Sequence, residues 1–281
     1  MKNLLQTTRR KLGGLLLAGA ALHGCQSAGQ PAQQLVALPA TTCQATPTVA
    51  GPASRDTLQP PALAPLPEVS GELRQQIRRL HAALGAEAAE LRPAVWERAC
   101  VGYLVLRQQG KVRRSGLLAV ADMELPSTAQ RLWVVDLKAQ KVLHRSYVAH
   151  GRGSGKLLAR RFSNRIKSAC TALGFYRTQD AYGGSHGLSR RLRGLDVGQN
   201  SNAQDRYIVL HAADYAGRAY LRKHGQLGYS RGCPALPPEQ YRAIIGAVGE
   251  GGCLLLCGSG LESRWLDGAA AGRAFATRGW Q

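Results

Sequence analysis

Five short apolar runs, separated by turn-forming residues, set the strongest limit on what this chain can fold into. They occupy residues 117–121, 132–137, 142–149, 207–210 and 253–256. Each run is either continuously apolar or alternates apolar with polar side chains over only a few residues, which is typical of β-strands. The sequence therefore predicts a mainly β domain beyond Gly110.

Helices are predicted at the flanks of this β region. Apolar residues recur at helical spacing from Leu73 to Leu84, which predicts an amphipathic helix over residues 70–90. Pro93 suits the first turn of a second helix, and a short helix is predicted over residues 239–248. The expected fold class is therefore α+β, mainly β with flanking helices.

The middle of the chain is expected to form long polar loops. Residues 150–202 are rich in Gly, Ser, Asn and Arg. From Arg145 to Arg193 the sequence holds eleven Lys or Arg residues and one acid, Asp180. Because binding sites concentrate on loops held by a rigid scaffold, this basic segment is a candidate binding region, although a solvated basic surface would give the same composition.

The N-terminal residues have the layout of an export signal. A basic start precedes an apolar run over residues 12–22, which is too short to span a bilayer. The run ends in Leu22-His23-Gly24-Cys25, which resembles a lipobox in which Cys25 is lipidated. We expect an export signal over residues 1–24 and a periplasmic protein anchored to a membrane by lipid at Cys25. Cleavage by an ordinary signal peptidase and export by a twin-arginine route stay open.

Composition divides the remainder of the chain. Residues 25–69 are rich in Pro, Ala and Gln and cannot bury much apolar surface, so they are predicted to form a disordered tether. A catalytic domain is expected over residues 70–258 and a C-terminal tail over residues 259–281. No internal repeat is present in the sequence.

The chain is strongly basic, with 37 Lys and Arg against 17 Asp and Glu and a formal charge of +20. An excess of this size favours a polyanionic partner such as nucleic acid, an anionic membrane or an acidic cell-wall polymer. The export signal argues against nucleic acid. A membrane contact through the lipid anchor and a wall polymer are the expected partners, and the oligomeric state stays open.

Seven cysteines in an exported chain leave an odd number for pairing. Cys253 and Cys257 lie four residues apart on one predicted strand, about 13 Å, and cannot form a disulfide with each other. If Cys25 is lipidated and Cys233 is reactive, five remain, either paired or buried as free thiols: Cys43, Cys100, Cys170, Cys253 and Cys257.

One cysteine and one histidine have the setting of a catalytic pair. His211 ends the predicted strand 207–210, and Cys233 stands between Gly232 and a proline in Ser230-Arg-Gly-Cys-Pro. A thiol with a pKa of about 8.5 is a weak nucleophile until a neighbouring base removes its proton, which an imidazole can do. The N–H groups of Gly232 and Cys233 are candidate oxyanion donors, and Ser230 is expected to fix the turn or the imidazole. The spacing of His and Cys does not indicate a metal, and no cofactor is expected.

Ordered motifs across the chain resemble the L,D-transpeptidase catalytic domain (YkuD-type) family, in particular its murein L,D-transpeptidase branch. The resemblance covers about residues 92–258. It is carried by Leu132-Trp-Val-Val-Asp-Leu137, Val148-Ala-His-Gly-Arg-Gly-Ser-Gly155, Leu173-Gly-Phe-Tyr176, Gly184-Ser-His-Gly187, Arg206-Tyr-Ile-Val-Leu-His211 and Gly232-Cys-Pro-Ala-Leu236.

The resemblance implies a mixed β sandwich and a cysteine acyltransferase of peptidoglycan. Cys233 would attack the third residue of a stem tetrapeptide, usually diaminopimelate, expel D-Ala and pass the acyl group to an amine. The resemblance also implies substrate-binding roles for a further set of residues: Arg231, His150, His186, Ser154 and Tyr176. For His150 and His186, a structural role in holding loops stays equally open. Arg231 is further expected to favour the Cys233 thiolate.

Two other functions stay open at this point. Transfer of the acyl group to water instead of an amine would make the protein an L,D-carboxypeptidase or hydrolase. A basic lipoprotein that binds peptidoglycan without catalysis would explain the charge but not the Cys233 and His211 pair.

Overall fold

The computed structural model describes residues 60–280. The predicted export signal, Cys25, Cys43 and most of the predicted tether lie outside the described residues. Helices within the described range are α1 (Gly71–Ala83), α2 (Pro93–Gln108), α3 (Arg218–His224), α4 (Tyr241–Val248) and α5 (Gly268–Arg278). Strands are β1 (Leu117–Asp122), β2 (Leu132–Asp136), β3 (Lys141–Ser146), β4 (Gly174–Gly184), β5 (Gly187–Gly194), β6 (Val209–Ala212), β7 (Ala235–Leu236) and β8 (Cys253–Cys257).

The described strands form one mixed sheet with the order β3-β2-β1-β8-β4-β5-β6-β7. The pairs β1–β8 and β6–β7 are parallel, and the other neighbours are antiparallel. The predicted α+β class, with a mixed sheet and flanking helices, is confirmed. The parallel β6–β7 pair at the end of this order brings the segments of His211 and Cys233 together.

Apolar side chains cover both faces of the central strands. On one face, Val120 and Leu255 pack with helices α1, α2 and α5. On the other, Ala119 and Leu254 pack with helix α4. Burial on both faces explains why the runs in β1 and β8 are continuously apolar rather than alternating. Leu210 of β6 belongs to the same cluster as helix α4.

The N-terminal helices follow local sequence rules. Ser70 caps α1 through a hydrogen bond from the Leu73 N–H to its Oγ, 3.2 Å long. The α-helix stops at Ala83, short of the predicted end at residue 90, because Gly85 adopts a left-handed φ of +66°. Helix α2 begins at Pro93 as predicted.

The C-terminal segment is part of the packed core. Helix α5 begins after Asp267, whose side chain accepts the Ala270 N–H. Ala271 of this helix is fully buried and Trp265 is 2% exposed, and both belong to the cluster that contains α2. Residues beyond 258 therefore stabilise the helical face of the sheet.

The prediction of long loops over residues 150–202 is wrong for its second half. Strands β4 and β5 form an antiparallel hairpin there, paired from Tyr176 with Gly194 to Gly184 with Gly187. Strand β5 was not recognised from the sequence because its arginines alternate with Leu192 and other inward-facing side chains. Arg190 itself is only 8% exposed, and its guanidinium donates to the Ile245 and Gln179 carbonyls.

All five cysteines within residues 60–280 are free thiols, and four of them are buried: Cys100, Cys170, Cys253 and Cys257. The sequence left disulfide pairing open, and no disulfide joins any two of the cysteines within residues 60–280, which are Cys100, Cys170, Cys233, Cys253 and Cys257. None of the helices within residues 60–280 has both the length and the apolar character needed to cross a bilayer.

Candidate active site

A hydrogen-bonded turn presents the Cys233 thiol. Gly232 adopts a φ of +128°, and a Cβ there would lie 2.7 Å from the Arg206 guanidinium, so this position requires glycine. The Ser230 hydroxyl donates to the Cys233 carbonyl (2.7 Å) and accepts the Gly232 N–H (3.0 Å). Ser230 therefore fixes the turn rather than the imidazole. The Gly232 N–H is therefore occupied, which removes it from the two candidate oxyanion donors, and the role of the Cys233 N–H stays a prediction.

The turn is fastened to the loop that contains His150. The Ser230 N–H donates to the His150 carbonyl (3.0 Å), and the Ser230 carbonyl accepts the Arg152 N–H (2.9 Å). The Ala149 N–H donates to the Ala235 carbonyl (2.9 Å) just beyond the cysteine. Main-chain hydrogen bonds on both sides thus hold Cys233 in place.

The thiol lies beside strand β6. His211 is the register partner of Ala235 in the parallel β6–β7 pair, and Cys233 precedes Ala235 by two residues. The thiol donates to the Tyr207 carbonyl at 3.6 Å, and the Val209 N–H points toward the sulfur. The sulfur therefore lies beside the segment that leads into β6, the strand that contains His211.

His211 is held in one tautomer by the main chain. Its side chain is 5% exposed, and its Nδ1 lies 2.8 Å from the Ala212 carbonyl oxygen. A carbonyl oxygen only accepts hydrogen bonds, so Nδ1 carries the proton and Nε2 keeps a free lone pair. Burial lowers the pKa of His211, and the nearby His186 lowers it further. The imidazole is therefore neutral at pH 7 and able to accept a proton.

Cys233 is protonated in this environment. Burial raises the pKa of its thiol, and the Val209 N–H, the Arg206 charge and its own N–H oppose that rise only in part. The sequence predicted that Arg231 would favour the thiolate. Arg231 is instead exposed, and the cation that acts on the thiol is Arg206. A neutral thiol and a neutral imidazole need proton transfer between them before the sulfur can act as a nucleophile.

The sequence profile of the L,D-transpeptidase catalytic domain matches residues 87–256, well over half of the chain. The chain belongs to this family. No curated protein sequence matches it significantly.

Solved L,D-transpeptidase structures are distant from this chain. An L,D-transpeptidase from Mycobacterium smegmatis is 16% identical, with 51% of this chain and 59% of that chain covered and a TM-score of 0.31. One from Stackebrandtia nassauensis is 14% identical, covering 71% and 97%, with a TM-score of 0.33. The Ldtfm avibactam carbamoyl enzyme is 15% identical, covering 52% and 50%, with a TM-score of 0.33. The chain thus spans about half the length of Ldtfm.

Two residues expected to bind substrate lie in the interior of the transpeptidase domain. His150 is fully buried, and the Arg131 guanidinium donates to its Nδ1 at 2.8 Å. Ser154 is also fully buried, and its hydroxyl accepts the Thr171 N–H at 2.9 Å. Both side chains hold the loop beneath the catalytic turn, which corrects the expectation of substrate contact.

Tyr176 is likewise a core residue and not a substrate contact. It is fully buried in the cluster beneath β6, and its hydroxyl donates to the Ala172 carbonyl at 2.8 Å. Burial raises the pKa of its phenol. The sequence could not separate a buried tyrosine from a cleft tyrosine because both are compatible with a strand.

His186 and Arg231 are exposed, as a substrate-binding role requires, and that role stays a prediction. His186 lies in the tip of the β4–β5 hairpin, and its ring centroid is 4.7 Å from that of His211. His186 therefore borders His211 on its open side.

Arg206 is the site residue that sequence reasoning missed. Its guanidinium donates to the Ser163 carbonyl (2.7 Å) and the Cys170 carbonyl (2.5 Å), which joins the 163–170 loop to the turn of Gly232. The only sequence signal for this role was the position of the arginine immediately before the predicted strand 207–210. Within residues 60–280, no group of three or more His, Cys, Asp or Glu side chains is arranged to hold a metal ion.

Proposed function

We propose that this protein is a cysteine acyltransferase of peptidoglycan, an L,D-transpeptidase that cleaves a stem tetrapeptide between its third residue and D-Ala. The observation that carries the proposal is the position of the Cys233 thiol beside the segment that leads into β6, the strand that contains the neutral base His211. Family membership supports the same chemistry. A basic protein that only binds peptidoglycan does not require the main chain to hold His211 in one tautomer.

The proposed first half-reaction follows from the protonation states. As the Cys233 sulfur bonds to the carbonyl carbon of the third stem residue, its proton passes to Nε2 of His211. The developing oxyanion accepts the Cys233 N–H. Collapse of the tetrahedral intermediate breaks the C–N bond, His211 returns the proton to the departing amine, and D-Ala leaves with a thioester remaining on Cys233.

In the second half-reaction an acceptor amine attacks the thioester, and His211 again accepts and returns the proton. Water as the acceptor would give a carboxypeptidase by the same steps. The acceptor is therefore identified by products rather than by the catalytic pair.

Intact-mass measurement tests the proposal. The purified chain is incubated with a carbapenem and, separately, with a disaccharide-tetrapeptide. We expect a covalent adduct on the wild type, none on Cys233→Ala, and release of D-Ala by the wild type alone. Analysis of the peptide products then separates cross-linking or exchange from simple trimming.

Cys170→Ala is the matched control, because Cys170 lies next to the catalytic turn but its sulfur donates to the Ser168 carbonyl. This variant should be acylated like the wild type. Equal behaviour of wild type and Cys233→Ala would reject the catalytic assignment and leave the binding function.

We also propose that the protein is exported and held at a membrane by lipid on Cys25, as the N-terminal sequence pattern suggests. Metabolic labelling with a palmitate analogue should mark the wild-type chain and not Cys25→Ala. Unchanged labelling of Cys25→Ala would contradict the anchor without affecting the proposed chemistry.

A further inference from the structure

A cavity rich in arginine lies on the sheet outside the catalytic turn. It has a volume of about 280 Å³, and we call it the arginine cleft. Its lining residues are Arg113, Arg177, Thr178, Gln179, Asp180, Glu250 and Gly251. Arg193 flanks it, as the register partner of Arg177 across the β4–β5 hairpin.

The floor of the arginine cleft is fixed by main-chain hydrogen bonds. The Thr178 hydroxyl donates to the Gly249 carbonyl and accepts the Gly252 N–H, both at 2.7 Å. The Gly251 carbonyl accepts the N–H groups of Arg113 and Arg114 at 2.8 and 3.0 Å. The cleft is therefore a preformed feature and not a gap between loose side chains.

The arginines of the cleft repel one another. Arg177 and Arg193 stand directly opposite on adjacent strands, a pairing that costs free energy when the charges are alike. Burial lowers the pKa of Arg177, and the charges of Arg193 and Arg113 lower it further. Arginines crowded in this way favour an anion that binds between them.

The two acids that line the cleft form no salt bridge with its arginines within residues 60–280. Asp180 forms its ion pair with Arg191. Glu250 raises the pKa of Arg177 through its charge, but it is exposed and forms no salt bridge within the described range. By the same criterion, none of the cleft guanidiniums within residues 60–280 has a carboxylate partner: Arg113, Arg177 and Arg193.

The cleft is close to the catalytic thiol along the sheet. Leu192 donates its N–H to the Ile208 carbonyl at 3.3 Å, which continues the β5–β6 pairing and sets Arg193 level with Tyr207. Tyr207 in turn accepts the Cys233 thiol. Two strand spacings separate β4 from β6, about 10 Å.

We infer that the arginine cleft binds carboxylates of the stem peptide whose reacting group lies at Cys233. This inference rests on the proposed function and adds a recognition site to it. Arginine binds carboxylate through two parallel hydrogen bonds, and Arg177 and Arg193 supply two such groups side by side. The separation of about 10 Å between the two strands matches a carboxylate on another residue of the same peptide and not the reacting carbonyl itself.

Binding to Cys233→Ala tests the inference without requiring turnover. The probes are a stem tetrapeptide containing diaminopimelate and the same peptide with its carboxylates converted to amides. We expect the carboxylate form to bind at least tenfold more tightly. The double substitution Arg177→Gln and Arg193→Gln should remove that preference, while the charge-matched control Arg79→Gln and Arg273→Gln, on helices α1 and α5, should keep it.

Urea denaturation of the double variant checks that it folds, and we expect an unfolding midpoint close to that of the charge-matched control. Two results would overturn the inference: a preference that survives the double substitution, or tighter binding of a phosphodiester oligomer than of the tetrapeptide. Failure of wild-type acylation would reject the proposed function, whereas a carboxylate preference that the double substitution removes would still support the cleft.

Discussion

His150 and His211 lie on neighbouring segments of the site, yet their surroundings give them different tasks. Both imidazoles are buried and both have a lowered pKa. His150 accepts a hydrogen bond from the guanidinium of Arg131, which also donates to the Met123, Leu125 and Val148 carbonyls. His211 bonds to one carbonyl and keeps its second nitrogen for the open side, toward His186.

The difference shows that burial alone does not identify a catalytic histidine. At His150, Nδ1 accepts a hydrogen bond from the Arg131 guanidinium, so the neutral imidazole serves to bind Arg131. At His211 the main chain satisfies only Nδ1, so the neutral form has a lone pair available for a proton. The two positions make separate predictions for rate and for stability.

The largest effect is expected from the base. His211→Asn should lower the rate of Cys233 acylation by about 10²–10⁴-fold, because a positioned general base contributes that much. The unfolding midpoint in urea should change little, since Asn can keep a hydrogen bond to the Ala212 carbonyl. His224→Asn, at an exposed position of α3, is the control. A loss of acylation rate below threefold in His211→Asn would argue against the role of His211 as the base.

Arg131→Met should have the opposite profile, a large loss of stability. It leaves three carbonyls and His150 without their donor, which we expect to cost about 3–5 kcal/mol in the free energy of unfolding. Urea denaturation at pH 7 measures it. Arg242→Met, where the arginine is exposed and stacks on Tyr241, should cost far less. Equal losses would contradict a special function for the buried guanidinium.

The pH dependence of stability should sharpen the contrast further. Burial and the charge of Arg131 lower the pKa of His150 from 6.5 to about 4. Above pH 6.5 neither the folded nor the unfolded chain protonates this group, so its stabilisation is complete. As the pH falls toward 4 the unfolded chain takes up the proton first, and about 2–3 kcal/mol is lost by pH 4.5.

Comparison with His150→Gln isolates this contribution, because the amide oxygen can accept the hydrogen bond from Arg131 without titrating. The wild type should lose more stability than the variant between pH 7 and pH 4.5 in urea unfolding. Parallel losses in the two proteins would show that His150 titrates normally in the folded state.

A smaller effect is expected at the hairpin tip. His186 lowers the pKa of His211, so His186→Asn should raise it and move the acid limb of the acylation profile to higher pH. The rate on the plateau should stay within a few-fold of the wild type. A loss on the plateau as large as that of His211→Asn would instead indicate that His186 transfers protons itself.

Sequence reasoning found the strands that are continuously apolar, because that pattern is local, and the catalytic roles of Cys233 and His211 stay predictions. It missed β4 and β5. In β5, arginines alternate with core residues, and Arg190 is buried by hydrogen bonds to main-chain carbonyls. It also assigned His150, Ser154 and Tyr176 to the cleft. Burial of a polar side chain depends on partners far apart in the chain, such as Arg131 for His150, and no local pattern encodes them.

The roles of the residues in the turn of Cys233 were only partly predictable, because some depend on partners that are distant in the chain. Glycine at position 232 follows from its φ and from the close Arg206 side chain, and the motif signalled that turn. The charge that acts on the thiol comes from Arg206, twenty-seven residues before Cys233, rather than from the adjacent Arg231. Neighbours in sequence were thus a poor guide to the electrostatics of the sulfur.

The central claim is that Cys233 rests as a neutral thiol and is activated by a neutral His211. The difference in ultraviolet thiolate absorbance between wild type and Cys233→Ala, followed as a function of pH, tests it most directly. We predict no thiolate signal at pH 7 and its appearance only above the ordinary thiol pKa of about 8.5, because burial raises the pKa of Cys233. A full thiolate signal at pH 7, stable down to acid pH, would instead indicate a preformed thiolate and imidazolium pair and contradict the account.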